Sequence, residues 1–132
     1  MANSVYPKFL EALWTQPANS NASTGTVKAA LVDTGVYTYS AAHEFYSSVS
    51  GVVGAPVEIA AKTFTNGYFD GSDVTFTAVS GSPAEALIVF IDTGTASTSR
   101  LIAYIDTATG LPVTPNGSDI TVSWNASGIV KV

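Results

Sequence analysis

A mainly β fold, an antiparallel sandwich or curled sheet with one short N-terminal helix, is the class this chain predicts. Three observations predict it. From residue 57 onward the apolar residues fall in short runs, and in the clearest of them they alternate with Thr and Ser, the period-2 signature of half-buried strands. Gly, Asn, Pro and Ser punctuate these runs at short intervals. One segment, near the N-terminus, spaces its apolar residues as a short amphipathic helix does. With 132 residues and no linker-like stretch, residues 1–132 form a single domain.

In chain order, "YPKFLEALWT" sets Phe9, Leu10, Leu13 and Trp14 at helical spacing behind a proline suited to a first turn. "TQPANSNASTG" is a loop. "TVKAALVDTG" is a strand with both faces fairly apolar, hence interior to a sheet. "YSAAHEFYSSV" (39–49) is expected to form one or two helical turns, with Ser40 as cap. "VEIAAKTF" (57–64) and "DVTFTAV" (73–79) are strands bracketing a turn-like "TNGYFDGS". "EALIVFI" (85–91) is apolar on both faces and reads as a central strand. "RLIAYI" (100–105) and "DITVSW" (119–124) follow. Asn125-Ala126-Ser127-Gly128 is expected to turn the chain as a hairpin into the terminal "IVKV".

Composition restricts function. Charged residues make up 11% of the chain, against about 25% in ordinary globular domains. Ser and Thr number 31 of 132 and must supply much of the polar surface, as suits either a protein packed against neighbours or simply a Thr-rich β domain, since Thr favours strands. The net charge of −5, with five scattered basic residues, argues against nucleic acid, which needs a clustered basic footprint. There is no cysteine, so neither a disulfide nor a thiolate site is available. The opening "MANSVYPKFLEALW" lacks a long apolar run, so no secretory signal is expected. No stretch approaches the ~18 apolar residues of a membrane helix, and no membrane association is expected.

Motifs with chemical potential reduce to structural ones. "IDTGT" (91–95) and "IDTATG" (105–110) each place an aspartate after an apolar run, where its carboxylate can accept from a backbone N–H two residues on. If the two runs pair as a hairpin, Asp92 and Asp106 lie at opposite ends, too far apart to share a proton or straddle a glycosidic bond. Asp70 and Asp73 in "FDGSDVTF" echo a calcium loop but lack the regular alternate ligands and closing glutamate. His43 is the only histidine, and no G-x-S-x-G elbow or phosphate-binding loop accompanies it. It reads as a turn or interface residue. No catalytic residue, metal site or cofactor is expected, and the chain is read as a non-enzyme. Three Asn-x-Ser triplets carry no weight in so Asn/Ser-rich a chain. The aromatic residues fit core positions better than a sugar-stacking platform.

A series of motifs, "VKAALVDTGVYTYSAAHEFYSSVSG", "AKTFTNGYFDGSDVTF", "IDTGTASTSRLIAYID" and "ITVSWNASGIVKV", resembles in order a family of small virion structural proteins of tailed bacteriophages. The sequence departs from the family pattern at Ser47-Ser48, where a Ser-Asp pair is expected, and at Phe76, where a Trp is expected. The resemblance implies a head decoration, or cement, protein on the outer surface of the capsid, made in the host cytoplasm. It also implies the major capsid protein as partner and self-association as a homotrimer. Loops 17–25 and 107–118, or the N-terminal helix, would reach the shell. The interface residues expected are Phe9, Trp14, His43 and Tyr46. A tail or head–tail connector component and a host-surface glycan-binding module are the alternatives.

Overall fold

The computed structural model describes residues 3–131. It is mainly β and antiparallel, with one short α-helix near the N-terminus. The elements are β1 (Ser4–Val5), α1 (Pro7–Thr15), β2 (Thr26–Val32), β3 (Val52–Glu58), β4 (Thr63–Thr65), β5 (Tyr68–Asp70), β6 (Val74–Phe76), β7 (Ala86–Asp92), β8 (Arg100–Ile105), β9 (Ile120–Val122) and β10 (Val130–Lys131). The main sheet has the order β1-β8-β7-β2-β3. Two small sheets, β10-β5-β4 and β6-β9, accompany it.

The central strands follow from their composition. Every residue of β8, and all of β7 except Asp92, is buried, so both faces of the sheet centre are covered. One face is covered by the connection between β2 and β3. Tyr46 stacks on Phe90 with ring centroids 4.0 Å apart, and Tyr37 and Tyr39 pack on Tyr104. On the opposite face Ile91 lies near Phe9 of α1, Phe69 of β5 and Val130 of β10, which border one groove. Alternation holds where one side of a strand meets solvent. Val74 and Phe76 are buried with Thr75 exposed, and Ile120 and Val122 are buried with Thr121 exposed.

Helix α1 begins with Pro7 in its first turn and ends at Gln16, whose backbone is left-handed (φ 51°) and donates to the Ala12 carbonyl. Phe9 and Ala12 are its buried residues, which dock it on the sheet. The outer edge of β8 is covered twice. Ser4 and Val5 pair with Tyr104 and Ala103, and further along Phe45 bridges Arg100. At the other edge, β3 carries Pro56, which lacks the N–H a neighbouring strand would need.

Several expected elements differ. Residues 39–49 hold a turn closed by the His43 N–H on the Ser40 carbonyl and one 3₁₀ turn at Tyr46–Ser48, but no α-helix. The Ala42 N–H does bond Ser40 Oγ, but Glu44 and Tyr46 give their backbone bonds to Leu101 and Ser99, which keeps this stretch extended along β8. The strand expected over 57–64 is two strands, because the backbone of Ala61 is left-handed (φ 53°) and carries the chain from the main sheet to a small one. Lys62 fixes that crossing by donating to the carbonyls of Ala22 and Gly25. The strand expected over 73–79 stops at Phe76, before the left-handed Ala78. Within "TNGYFDGS" the chain makes a β4–β5 hairpin around Asn66-Gly67, a dipeptide suited to two consecutive positive φ angles. Asn125–Gly128 does form a turn, with the Gly128 N–H on the Asn125 carbonyl, but not a hairpin. β9 pairs with β6, whereas β10 pairs with β5 in the other small sheet. Among the described residues no helix is long and apolar enough to cross a membrane.

Candidate interaction surface

The polar residues singled out in the sequence bond mainly within the framework. β7 and β8 pair with Leu87 opposite Ile105 and Ile91 opposite Arg100, so Asp92 and Asp106 lie at opposite ends of the hairpin, as the sequence implies. Asp92 Oδ1 accepts the Gly94 N–H at 3.0 Å, the expected turn. Its other oxygen, Oδ2, pairs with Lys28 Nζ of the neighbouring β2 at 2.8 Å. The Lys28 ammonium foremost, and the Gly94 N–H second, hold its carboxyl below the usual aspartate range. The second motif works differently. Asn3 Oδ1 accepts the N–H groups of both Asp106 and Thr107, and Asp106 Oδ1 accepts the Thr107 hydroxyl.

Asp73 reaches the residues just after β9, taking the Trp124 N–H at 3.3 Å and the Ser123 hydroxyl at 3.2 Å, while Asp70 accepts the Gly71 N–H. Among the described residues no three Asp, Glu or His side chains converge. The three Asn-x-Ser triplets are all Asx turns. Asn21, Asn116 and Asn125 each accept the N–H of the serine two residues on, at 2.9–3.0 Å.

Of the four residues expected at an interface, Phe9 is a core residue, 4% exposed. Tyr46 is half-buried on Phe90, and burial foremost, then the nearby Asp92, pushes its phenol upward. His43 is half-buried, with Nδ1 2.8 Å from the Tyr37 hydroxyl, which lies 2.7 Å from that of Tyr6. Trp14 alone stands out in solvent, at 89% exposure. The fold therefore separates these four rather than gathering them.

Arg100, the only arginine, was not among the expected site residues. It is 4% exposed and donates to Glu44 at 3.0 Å and to the Ala18 carbonyl at 3.2 Å, with its guanidinium over the Phe45 ring. One side chain thus ties the loop before β2 and the β2–β3 connection to β8. A lone arginine opening an otherwise apolar strand was the available signal, because a buried arginine needs partners.

A groove of about 890 Å³ lies between α1, the 16–25 loop and the β4–β5 hairpin. Phe9, Leu13, Phe64, Phe69, Ile91 and Ile102 supply apolar walls, and Asn19, Ser20, Asn21 and Ser23 a hydroxyl- and amide-bearing one. Sequence alone did not bring these segments together. Neither a protein-family model nor a curated protein matches this chain.

Proposed function

We propose that this chain is a non-enzymatic structural protein of a tailed-bacteriophage virion, a decoration (cement) protein on the outer surface of the mature head at capsomer junctions. One observation carries the reading. The polar residues of the motif series, Asp73, Asp92, Asn125 and the His43–Glu44 segment, are engaged in turns, edge contacts and cross-strand ties. The series is thus a framework for a particular fold, and the chain that carries it is charge-poor and rich in hydroxyls.

Such a protein acts by contact alone. Its partners are the major capsid protein and further copies of itself. Contact falls to α1, to loop 17–25 and to loop 107–118. Binding the mature lattice and not its precursor stabilises the mature state by linkage, and repetition multiplies a small gain per copy. Cryo-electron microscopy of the intact particle tests this. Density for the chain outside the shell at repeated capsomer junctions is expected. Density confined to the neck or tail would make it a connector instead, and absence from the particle would remove the reading.

Trp14 favours a second reading, a host-surface glycan-binding module. An exposed indole beside a groove lined by Gln16, Asn19 and Asn21 has the chemistry to stack on a sugar and bond its hydroxyls. Sugar-dependent shifts in tryptophan fluorescence, lost in Trp14→Ser, are what that reading requires.

A further inference from the structure

Helix α1 is apolar over a wider arc than its docking uses. Viewed down the axis at 100° per residue, Ala12, Phe9, Leu13, Leu10 and Trp14 follow one another around one side. Lys8, Glu11 and Thr15 occupy the remainder, with Lys8 and Glu11 paired at 3.4 Å. A core-facing helix needs a stripe only somewhat over 100° wide. Phe9 and Ala12 are buried, whereas Leu10, Leu13 and Trp14 are 39%, 41% and 89% exposed. Leu13 is also a wall of the groove, and Phe64, 47% exposed, is another. Trp14 is not itself a wall of the groove, but it projects from the same helix, next in sequence to the groove wall Leu13.

We propose that this patch is a homodimer contact, in which a second copy related by a two-fold axis seats its Trp14 in the groove beside α1 and receives the other Trp14 in return. A two-fold contact requires a self-complementary patch, and a plug carried by the same helix that walls the socket supplies one. A heterologous ring needs plug and socket on separate faces. The symmetry thus differs from the threefold arrangement that the virion resemblance implies.

Area supports a second copy as the occupant. At roughly 200 Å² per large apolar side chain, the four exposed residues leave about 400 Å² uncovered on each copy. Covering all of it in a pair would remove about 800 Å² of apolar surface, and at ~60% apolar content that corresponds to an interface of up to about 1,300 Å². Stable, specific interfaces bury about 1,200–2,000 Å². Electrostatics permit the approach despite the like net charge of −5 on each copy. Among the residues bordering the groove only Asp92 is charged, and Lys28 neutralises it at 2.8 Å.

A contact of this kind belongs to the isolated chain and does not depend on the virion reading. Sedimentation velocity of the purified protein over a wide concentration range tests it, alongside Trp14→Ser and Leu13→Lys. Both positions are exposed, and far-UV circular dichroism confirms that each variant folds; either one suffices if the other does not. A monomer–dimer equilibrium is expected, weakened roughly 30-fold or more by loss of the central aromatic anchor. A chain that stays monomeric at every concentration, a trimer, or a dimer indifferent to the folded variants would each overturn it. Monomeric protein whose Trp14 emission answers to sugar would overturn it in favour of a glycan site.

Discussion

The twin motifs around Asp92 and Asp106 end in glycines that look equivalent in sequence and are not equivalent in space. Gly94 has φ +86°, and a Cβ added there would meet nothing within 4 Å. Gly110 has φ +107°, and a Cβ there would lie 2.6 Å from the Thr121 carbonyl oxygen and 3.5 Å from Val122 Cα. The neighbouring Thr109 exchanges two backbone hydrogen bonds with Ser123, at 3.2 and 3.0 Å, so the segment cannot retreat without breaking them. Alanine at either site costs about 1–2 kcal/mol for the left-handed backbone. At Gly110 the contact adds the two strained bonds, at about 1 kcal/mol each, plus part of the overpacking cost. Gly94→Ala is expected to lose about 1–2 kcal/mol and Gly110→Ala about 3–5 kcal/mol. Urea unfolding followed by circular dichroism reads both losses from the midpoint, provided the slope is unchanged. In thermal melts the difference is on the order of 10 °C for a chain of this length. Equal losses at the two sites, or a larger one at Gly94, would refute the assignment of Gly110 to a close backbone approach.

Three further outcomes follow from the packing. The depressed Asp92 carboxyl contributes stability that is complete above the unfolded aspartate value near ~4 and is lost as pH falls through the lower folded value. Because the Lys28 and Asp92 side chains are 32% and 24% exposed, the wild type should lose only ~1 kcal/mol more than Asp92→Asn on acidification, read from urea midpoints across pH. Burial raises the phenols of Tyr6, Tyr37 and Tyr104, so their contribution is complete below the unfolded value of about 10 and falls as pH rises beyond it. Phenolate absorbance should then appear together with loss of circular dichroism, and Tyr6→Phe should soften that coupling. Phe90, 1% exposed under the Tyr46 ring, should cost about 3–5 kcal/mol on truncation to Ala by the same urea measurement.

Local sequence was enough to specify the elements whose apolar pattern is continuous: α1, β2, β7, β8 and the alternating cores of β6 and β9. It also placed Asp92 in a turn, because an aspartate's bond to the next N–H but one is local chemistry. What it left open depends on contacts between distant segments. The 39–49 stretch has helical residues yet forms no α-helix beyond its short turns, since Glu44 and Tyr46 bond Leu101 and Ser99 at the edge of β8, more than fifty residues away in sequence. "IVKV" reads as the return arm of a hairpin, yet Val130 lies opposite Phe69, because the chain leaves β9 for a different sheet. The separation of Phe9, buried, from Trp14, exposed, turns on which arc of α1 meets the sheet. The groove was illegible for the same reason: its walls come from α1 and the loop after it, from the β4–β5 hairpin and from β7, β8 and β10, and nothing local says that they meet. Periodicity and turn chemistry act between near neighbours, whereas partner strands, close backbone approaches and surface recesses are settled only when the whole core packs.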